Sequence, residues 1–137
     1  MVKTYSPNQV LIALGSHSVT GYADDSFISI ESSSDGVTKK TGCDGEIVRS
    51  ISPDHSFKIT LTLLQTSDTN AWLQEQYNRD QKTGDGIFPV LIKDLKGGLL
   101  FSADEAWAVK PANRGFGKEA SNREWQIDTG AAVLNES

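Results

Sequence analysis

The sequence holds few of the residues on which several large classes of protein depend. It has a single cysteine, Cys43, so no disulfide can form within the chain. Lys and Arg together number 13 against 18 Asp and Glu, which gives a formal net charge of -5 at pH 7. Tight binding of nucleic acid depends on clustered cations that neutralise phosphates. This balance therefore argues against a dedicated DNA- or RNA-binding protein.

Long apolar runs are also missing. The longest, such as Val10–Leu14, are far shorter than the roughly 20 residues that span a bilayer, so we expect no membrane anchor. The first residues lack a basic segment followed by an apolar run, so we expect no secretory signal. A length of 137 residues is enough for one hydrophobic core. We therefore expect residues 1–137 to form a single domain.

The residue types of catalytic and metal sites occur, but without the spacing that such sites need. Asp54-His55-Ser56 has the composition of a catalytic triad, yet neighbours on an extended chain point to opposite faces and cannot converge. The two histidines and Cys43 are too few and too scattered for a zinc site. The turn aspartates lack the alternating spacing of a calcium loop. We expect no enzyme activity, no metal site and no cofactor.

The clearest pattern in the sequence lies in residues 57–65. Apolar side chains recur there at every second position from Phe57 to Leu63, with Lys58, Thr60 and Thr62 between them. This is the period of a β-strand that is buried on one face only. One face of the strand is expected to meet a core and the other face to meet a polar environment.

A helix is predicted directly after this strand. Ser67 and Asp68 can accept hydrogen bonds from the first free amides of a helix. One helical stripe then holds the larger side chains, which are Trp72, Leu73, Gln76 and Tyr77. We expect a short amphipathic helix that packs over the sheet and ends near Gly84 and Gly86.

Apolar and β-branched runs bounded by turn residues predict the remaining strands. The predicted strands are 10–14, 27–31, 37–41, 47–51, 57–65, 88–93, 99–102, 106–110 and 123–129. The clearest hairpin joins 88–93 to 99–102, and 123–129 is predicted to be the last strand. Eight or so short strands and one helix predict a mainly β fold, either a β-sandwich or a flattened barrel.

Several motifs, taken in order, resemble a known family. They are GCDGE at 42–46, ITLTLLQTS at 59–67, and FGKE at 116–119 followed by NREW at 122–125. In this combination the chain is similar to the small tail tube (inner tube) proteins of contractile-tailed bacteriophages and their prophage relatives. The similarity runs from about residue 5 to residue 128, nearly the whole chain.

The resemblance implies a tail tube-like β-sandwich protomer. Such protomers form homo-hexameric rings, which stack into a tube through which DNA passes without specific binding. The implied partners are the tail sheath, baseplate and terminator proteins, and the implied location is the virion tail after assembly in the host cytoplasm. A related secretion-system tube, a baseplate protein of the same fold, and a β-sandwich binding module with exposed Trp side chains remain as alternatives.

Two sets of residues are candidates for assembly. Residues 31–46 hold almost no apolar side chains, so we predict an extended arm that contacts a neighbouring subunit or ring. The candidate contact residues in this arm are Ser32, Ser34, Asp35, Gly36 and Asp44. The second set is Glu124 and Asp128, which alternate with Trp125 and Ile127. We predict that these two carboxylates lie on a channel lining or an outer face.

Overall fold

The computed structural model describes residues 2–23 and 27–136. Within these residues the chain forms ten β-strands, one α-helix and a short 3-10 helix at Pro7–Gln9. The strands are β1 Val10–Leu14, β2 His17–Ser18, β3 Ile28–Ser32, β4 Val37–Thr41, β5 Ile47–Ile51, β6 Phe57–Leu64, β7 Phe88–Asp94, β8 Leu99–Lys110, β9 Asn122–Thr129 and β10 Ala132–Glu136. The helix is α1 Asp68–Thr83.

The alternating stretch of the sequence forms β6, which has eight residues. Ile59, Leu61 and Leu63 are each at most 2% exposed, whereas the residues between them face outward. β3 and β9 pair with β6 on its two sides, both antiparallel. The predicted strand with one buried face is therefore confirmed.

Eight strands form one antiparallel sheet. The order is β2-β1-β7-β8-β9-β6-β3, and β10 also pairs with β8. The sheet is open and not a closed barrel, because its ends are the separate strands β2 and β3. The expectation of a mainly β fold with one helix is confirmed.

The twelve-residue strand β8 joins the two halves of this sheet. Its first part pairs with β7 and β10, and its last part pairs with β9. β9 and β10 keep one register along β8, since Thr129 pairs with Ala106 and Ala132 pairs with Ala103. Between them the amide of Gly130 donates to the Glu105 carbonyl at 2.9 Å. β9 and β10 thus act as one long strand with a brief interruption.

Both halves of the sheet bury side chains in a single core. Ile12, Val90 and Phe101 come from one half, and Leu61 and Trp125 come from the other, all at most 4% exposed. At this size such a core is the main source of stability.

The helix begins and ends where its capping residues predict. The Ser67 side chain accepts a hydrogen bond from the Thr69 amide at 3.2 Å, and Gly84 ends the helix in the left-handed conformation at φ 73. Leu73 is fully buried, while Trp72 and Tyr77 are half-buried against the core. The prediction that this stripe packs over the sheet is confirmed, although the helix has 16 residues and is not short.

Three elements differ from the sequence-based predictions. Residues 99–102 and 106–110 are not separate strands, because Ala103 and Ala106 are buried and the chain stays extended between them as β8. β10 follows β9, so 123–129 is not the last strand. The two-residue strand β2 is too short to leave a pattern in the sequence.

Candidate assembly surfaces

β4 and β5 form a two-stranded hairpin of their own, apart from the main sheet. We call this hairpin, residues 37–51, the arm; it shares residues 37–46 with the arm predicted at 31–46, whose first residues belong to β3 and to the connection between β3 and β4. All ten strand residues of the arm are exposed, including Val37 at 51%, Ile47 at 60% and Ile51 at 77%. An isolated two-stranded hairpin is marginally stable at best in water. The arm therefore has aliphatic side chains and a backbone that lack a covering layer from its own subunit.

One face of the arm combines aliphatic side chains with cations. Val37 pairs with Ile51. Two positions further along the hairpin, Lys39 pairs with Arg49. Like charges directly opposite each other on two strands are destabilising. Such a face is better suited to contact with another surface than to exposure in an isolated subunit.

Hydrogen bonds between residues 34–36 and 52–56, which we call the root of the arm, hold the two ends of the arm together. The Asp54 carboxylate accepts from the hydroxyls of Ser56 at 2.6 Å and Ser34 at 2.8 Å, and from the Ser56 amide at 3.0 Å. These bonds, that of the Ser56 hydroxyl first, lower the pKa of Asp54 to about 2. The Ser52 amide donates to the Gly36 carbonyl at 2.8 Å. The Asp54 carboxylate therefore stabilises the position of the arm at its root.

The contact residues predicted within 31–46 fall into two groups, and only Asp44 belongs to the hairpin itself. The hydroxyls of Ser32 and Ser34 both form hydrogen bonds at the root. That of Ser32 donates to the Ser34 carbonyl at 2.8 Å, and that of Ser34 donates to the Asp54 carboxylate. Asp35 and Gly36 lead into β4, and Asp44 lies in the turn at the far end.

The turn at residues 42–46, which we call the arm tip, is well defined. The Gly42 amide donates to the Glu46 carbonyl at 2.7 Å, and the Asp44 carboxylate accepts from the Glu46 amide at 3.1 Å. Gly45 has a φ of 90, which favours glycine. Cys43 is exposed in this turn. The arm tip thus holds two carboxylates and the single thiol at the end of the arm.

The outward side of β3, β6 and β9 forms a second surface, which we call the polar face. It comprises Ser29, Glu31, Lys58, Thr60, Thr62, Glu124, Gln126 and Asp128. Glu124 is exposed and Asp128 is half-exposed, while Trp125 and Ile127 are buried on the other side. The two predicted carboxylates do lie on a face away from the core. Their charges are mixed with a cation, because Lys58 is in register with both Glu31 and Asp128.

A third surface was not predicted from the sequence. It is a groove of about 500 Å³ between α1 and the connection from β8 to β9. From the helix it is lined by Ala71, Gln74, Glu75 and Asn78, and from the other side by Arg114 of that connection and Arg123 at the start of β9. We call it the arginine groove. The two arginines are separated by nine positions with no periodicity, so no sequence pattern indicates that they share a site.

Residues 2–23 and 27–136 contain no cluster of three or more His, Cys, Asp or Glu placed to hold a metal ion. No helix in these two ranges has the length and hydropathy needed to cross a membrane.

Solved structures with the same fold come from contractile injection systems. The chain is similar to a chain in the tube terminating cap of the anti-feeding prophage, with a TM-score of 0.68 and 11% identity over 100% of this chain and 94% of that one. It is also similar to a chain in the sheath/tube terminator of the PVC extracellular contractile injection system, with a TM-score of 0.65 and 10% identity over 98% of both chains. A chain of the PVC sheath-tube complex is similar as well, with a TM-score of 0.62 and 10% identity over 98% of this chain and 93% of that one. At these identities the likeness establishes the fold alone, which the chain shares with chains of contractile injection systems.

The sequence comparisons are more specific. The family model for the bacteriophage PhiTE tail tube protein matches residues 8–134. Structural protein ORF10 of Pseudomonas phage KPP10 is 34% identical over 132 residues, which cover 90% of this chain and 76% of that protein. The chain belongs to the PhiTE tail tube protein family, which is a family of structural proteins and not of enzymes. The resemblance seen in the sequence motifs is confirmed.

Proposed function

We propose that this chain is the subunit of a phage inner tail tube, in which six copies form a ring and the rings stack into a channel for DNA ejection. The observation that carries the proposal is the arm. In a member of this family, a hairpin with exposed Val37, Ile47 and Ile51 gains its missing contacts when it packs on a neighbouring copy. Burial of these side chains then drives assembly.

The polar face is the proposed lining of the channel. Its polar side chains and mixed charges suit an aqueous lumen, and the net charge of -5 gives DNA no cationic track to bind. A conduit has to release its cargo, so weak and unspecific contact with DNA is expected. Closing copies into a ring also pairs strand edges that would otherwise be free.

The proposed partners are the tail sheath outside the tube, the baseplate at one end and a terminator at the other. Support comes from the structures that share this fold, which are a sheath-tube complex, a sheath/tube terminator and a tube terminating cap. The proposed location is the virion tail, with assembly in the host cytoplasm.

Electron microscopy of the purified protein tests the proposal. Wild-type protein is expected to form rings with sixfold symmetry and stacked tubes. The double variant Ile47→Ser/Ile51→Ser should stay a folded monomer, because it loses the exposed aliphatic side chains of the arm but none of the buried core. Leu95→Ser, which changes a similarly exposed side chain in the turn between β7 and β8, is the matched control and should assemble. A wild-type protein that remains monomeric at all concentrations would contradict the proposal.

A further inference from the structure

The arginine groove contains cationic groups that the subunit does not neutralise. The Glu75 carboxylate also lines the groove, but it pairs with Arg79 at 3.6 Å. Within residues 2–23 and 27–136, neither Arg114 nor Arg123 has a carboxylate within 4 Å. Arg114 donates to the Gln74 side-chain oxygen at 2.7 Å and to the Ala112 carbonyl at 3.4 Å. Its guanidinium is thus held against the helix at the groove.

The donors of the groove match a carboxylate. A guanidinium has five N–H groups in a planar fork, so Arg114 has donors left after these two bonds. The side-chain amide of Asn78 adds further N–H groups on the same helix. Charge-assisted hydrogen bonds from arginine to carboxylate are among the strong polar contacts in proteins. The volume of about 500 Å³ takes a few side chains and excludes a whole domain.

The arm tip presents carboxylates of the right kind. Glu46 and Asp44 lie together in a turn whose backbone is fixed by the bonds described above. The Glu46 side chain is exposed, and the arm is a sheet separate from the main one. A rigid turn at the end of a protruding hairpin can insert a carboxylate with little loss of conformational freedom.

We propose that the arm tip of one copy docks in the arginine groove of a second copy, with the Glu46 carboxylate bound by Arg114 and Arg123. This inference rests on the proposed tube function and specifies the contact that builds it. A contact between two different patches of the same chain is head-to-tail, so it can close into a ring or continue along a tube. The aliphatic face of the arm would then be buried against the second copy, and the arm tip would set the orientation of the two copies.

The single thiol at the arm tip allows a direct test by crosslinking. In the variant Ala71→Cys, a second thiol lies in the groove, and a short thiol-reactive crosslinker should link Cys43 of one copy to position 71 of the next. Denaturing gels should show a ladder of trimers and larger species. Wild-type protein, with one thiol per copy, can give dimers at most.

Two controls make the crosslinking result specific. Ala131→Cys places the same new thiol at an exposed position between β9 and β10, away from the groove, and should give no ladder. Ala71→Cys combined with Cys43→Ser should also lose the ladder. A ladder with Ala131→Cys but none with Ala71→Cys would overturn the inference.

A charge swap tests the role of the carboxylate itself. Arg123→Glu and Glu46→Arg should each weaken assembly by about tenfold or more, because each places like charges in contact. The double variant with both changes should recover tubes. Lys96→Glu, a charge reversal at an exposed position in the turn between β7 and β8, should assemble normally. If Arg123→Glu assembles as well as wild type while the Ile47→Ser/Ile51→Ser variant does not, the groove assignment fails and the tube function stands. If wild-type protein makes no rings, the tube function fails.

Discussion

Asn70 links three elements through one buried side chain. It is 4% exposed, and its oxygen accepts a hydrogen bond from the indole N–H of Trp125 at 2.9 Å. Its amide nitrogen donates to the carbonyl of Leu64 at 2.9 Å and to that of Gln65 at 3.3 Å. Because the partners belong to β9 and the end of β6, this residue fixes the start of α1 against the sheet.

Replacing Asn70 by Ala should destabilise the subunit strongly. The indole N–H and a carbonyl would lose their partners, and each buried unpaired group costs about 1 to 3 kcal/mol. We expect the free energy of unfolding to fall by about 2 to 4 kcal/mol, measured by urea denaturation at low protein concentration. Asn78→Ala, exposed on the same helix, should change it by less than about 0.5 kcal/mol. Equal midpoints for the two variants would show that Asn70 is not the link described.

The role of Asn70 could not be predicted from the sequence. The helical stripe of Trp72, Leu73, Gln76 and Tyr77 was visible because periodicity reports which side of one helix is buried. A polar residue in the first turn of a helix is more often exposed. Its partner Trp125 is 55 positions away, and only the fold brings the two together.

At the scale of a single element, local sequence patterns predicted the strands of the arm but not the exposure of their aliphatic side chains. Its two strands, Val37–Thr41 and Ile47–Ile51, were predicted with the correct bounds, because both runs flank a turn rich in Gly and Asp. The exposure of Val37, Ile47 and Ile51 was not predicted, since aliphatic residues in a strand usually face a core. Shortening residues 32–36 would remove the Ser34–Asp54 bond at the root, so substitutions on the arm test assembly more cleanly.

Trp72 tests the contribution of the helix to stability. Its ring stacks on His17 with centroids 5.2 Å apart and meets Phe88 edge-on at 5.1 Å. Full burial of such a ring would make truncation cost about 3 to 5 kcal/mol, so for this half-buried ring we expect Trp72→Ala to cost about 2 to 3 kcal/mol. Thermal denaturation measures the loss of stability. The variant Trp72→Phe should lose less than half as much stability as Trp72→Ala. An unchanged melting temperature for Trp72→Ala would show that the helix is not held by this side chain and would revive the binding-module alternative.

At the scale of the whole molecule, the polar face and the arm have different proposed roles. The polar face points away from the core on one half of the sheet, and the arm stands apart from both halves. In a closed ring each charge on the polar face would occur once per copy, so a single substitution changes the field of the channel several times over.

Glu124→Lys tests the proposed channel lining. A ring of added cations should hold DNA through counterion release, so tubes should form but genome ejection should slow, with relief as salt rises. Ejection kinetics from particles carrying the variant measure this effect. Glu124 is the better position because it lies opposite Thr62, whereas changing Asp128 to Lys as well would set a cation opposite Lys58.

Glu119→Lys provides the matched control for the channel test. It makes the same charge change at an exposed position in the connection between β8 and β9, outside the polar face. Normal ejection by Glu124→Lys at low salt would place this residue outside the channel, and loss of tubes would place it at a subunit contact.

The sequence by itself determined the local structure and the family of this protein. Alternation in residues 57–65 and at Trp125 and Ile127 defined buried strand faces, and Ser67 and Gly84 defined the ends of the helix. The order of short motifs along the chain was enough to indicate the tail tube family. These features depend on neighbours within a few positions, which is why they can be read without the fold.

Only the tertiary structure decided how these elements combine into surfaces. It joined residues 99–110 into one strand shared by both halves of the sheet, and it placed Arg114 and Arg123 in one groove beside α1. It also left the aliphatic side chains of the arm uncovered. Each of these results depends on contacts between residues far apart in the chain, and a periodic pattern shows that a face is buried or exposed without showing what lies against it.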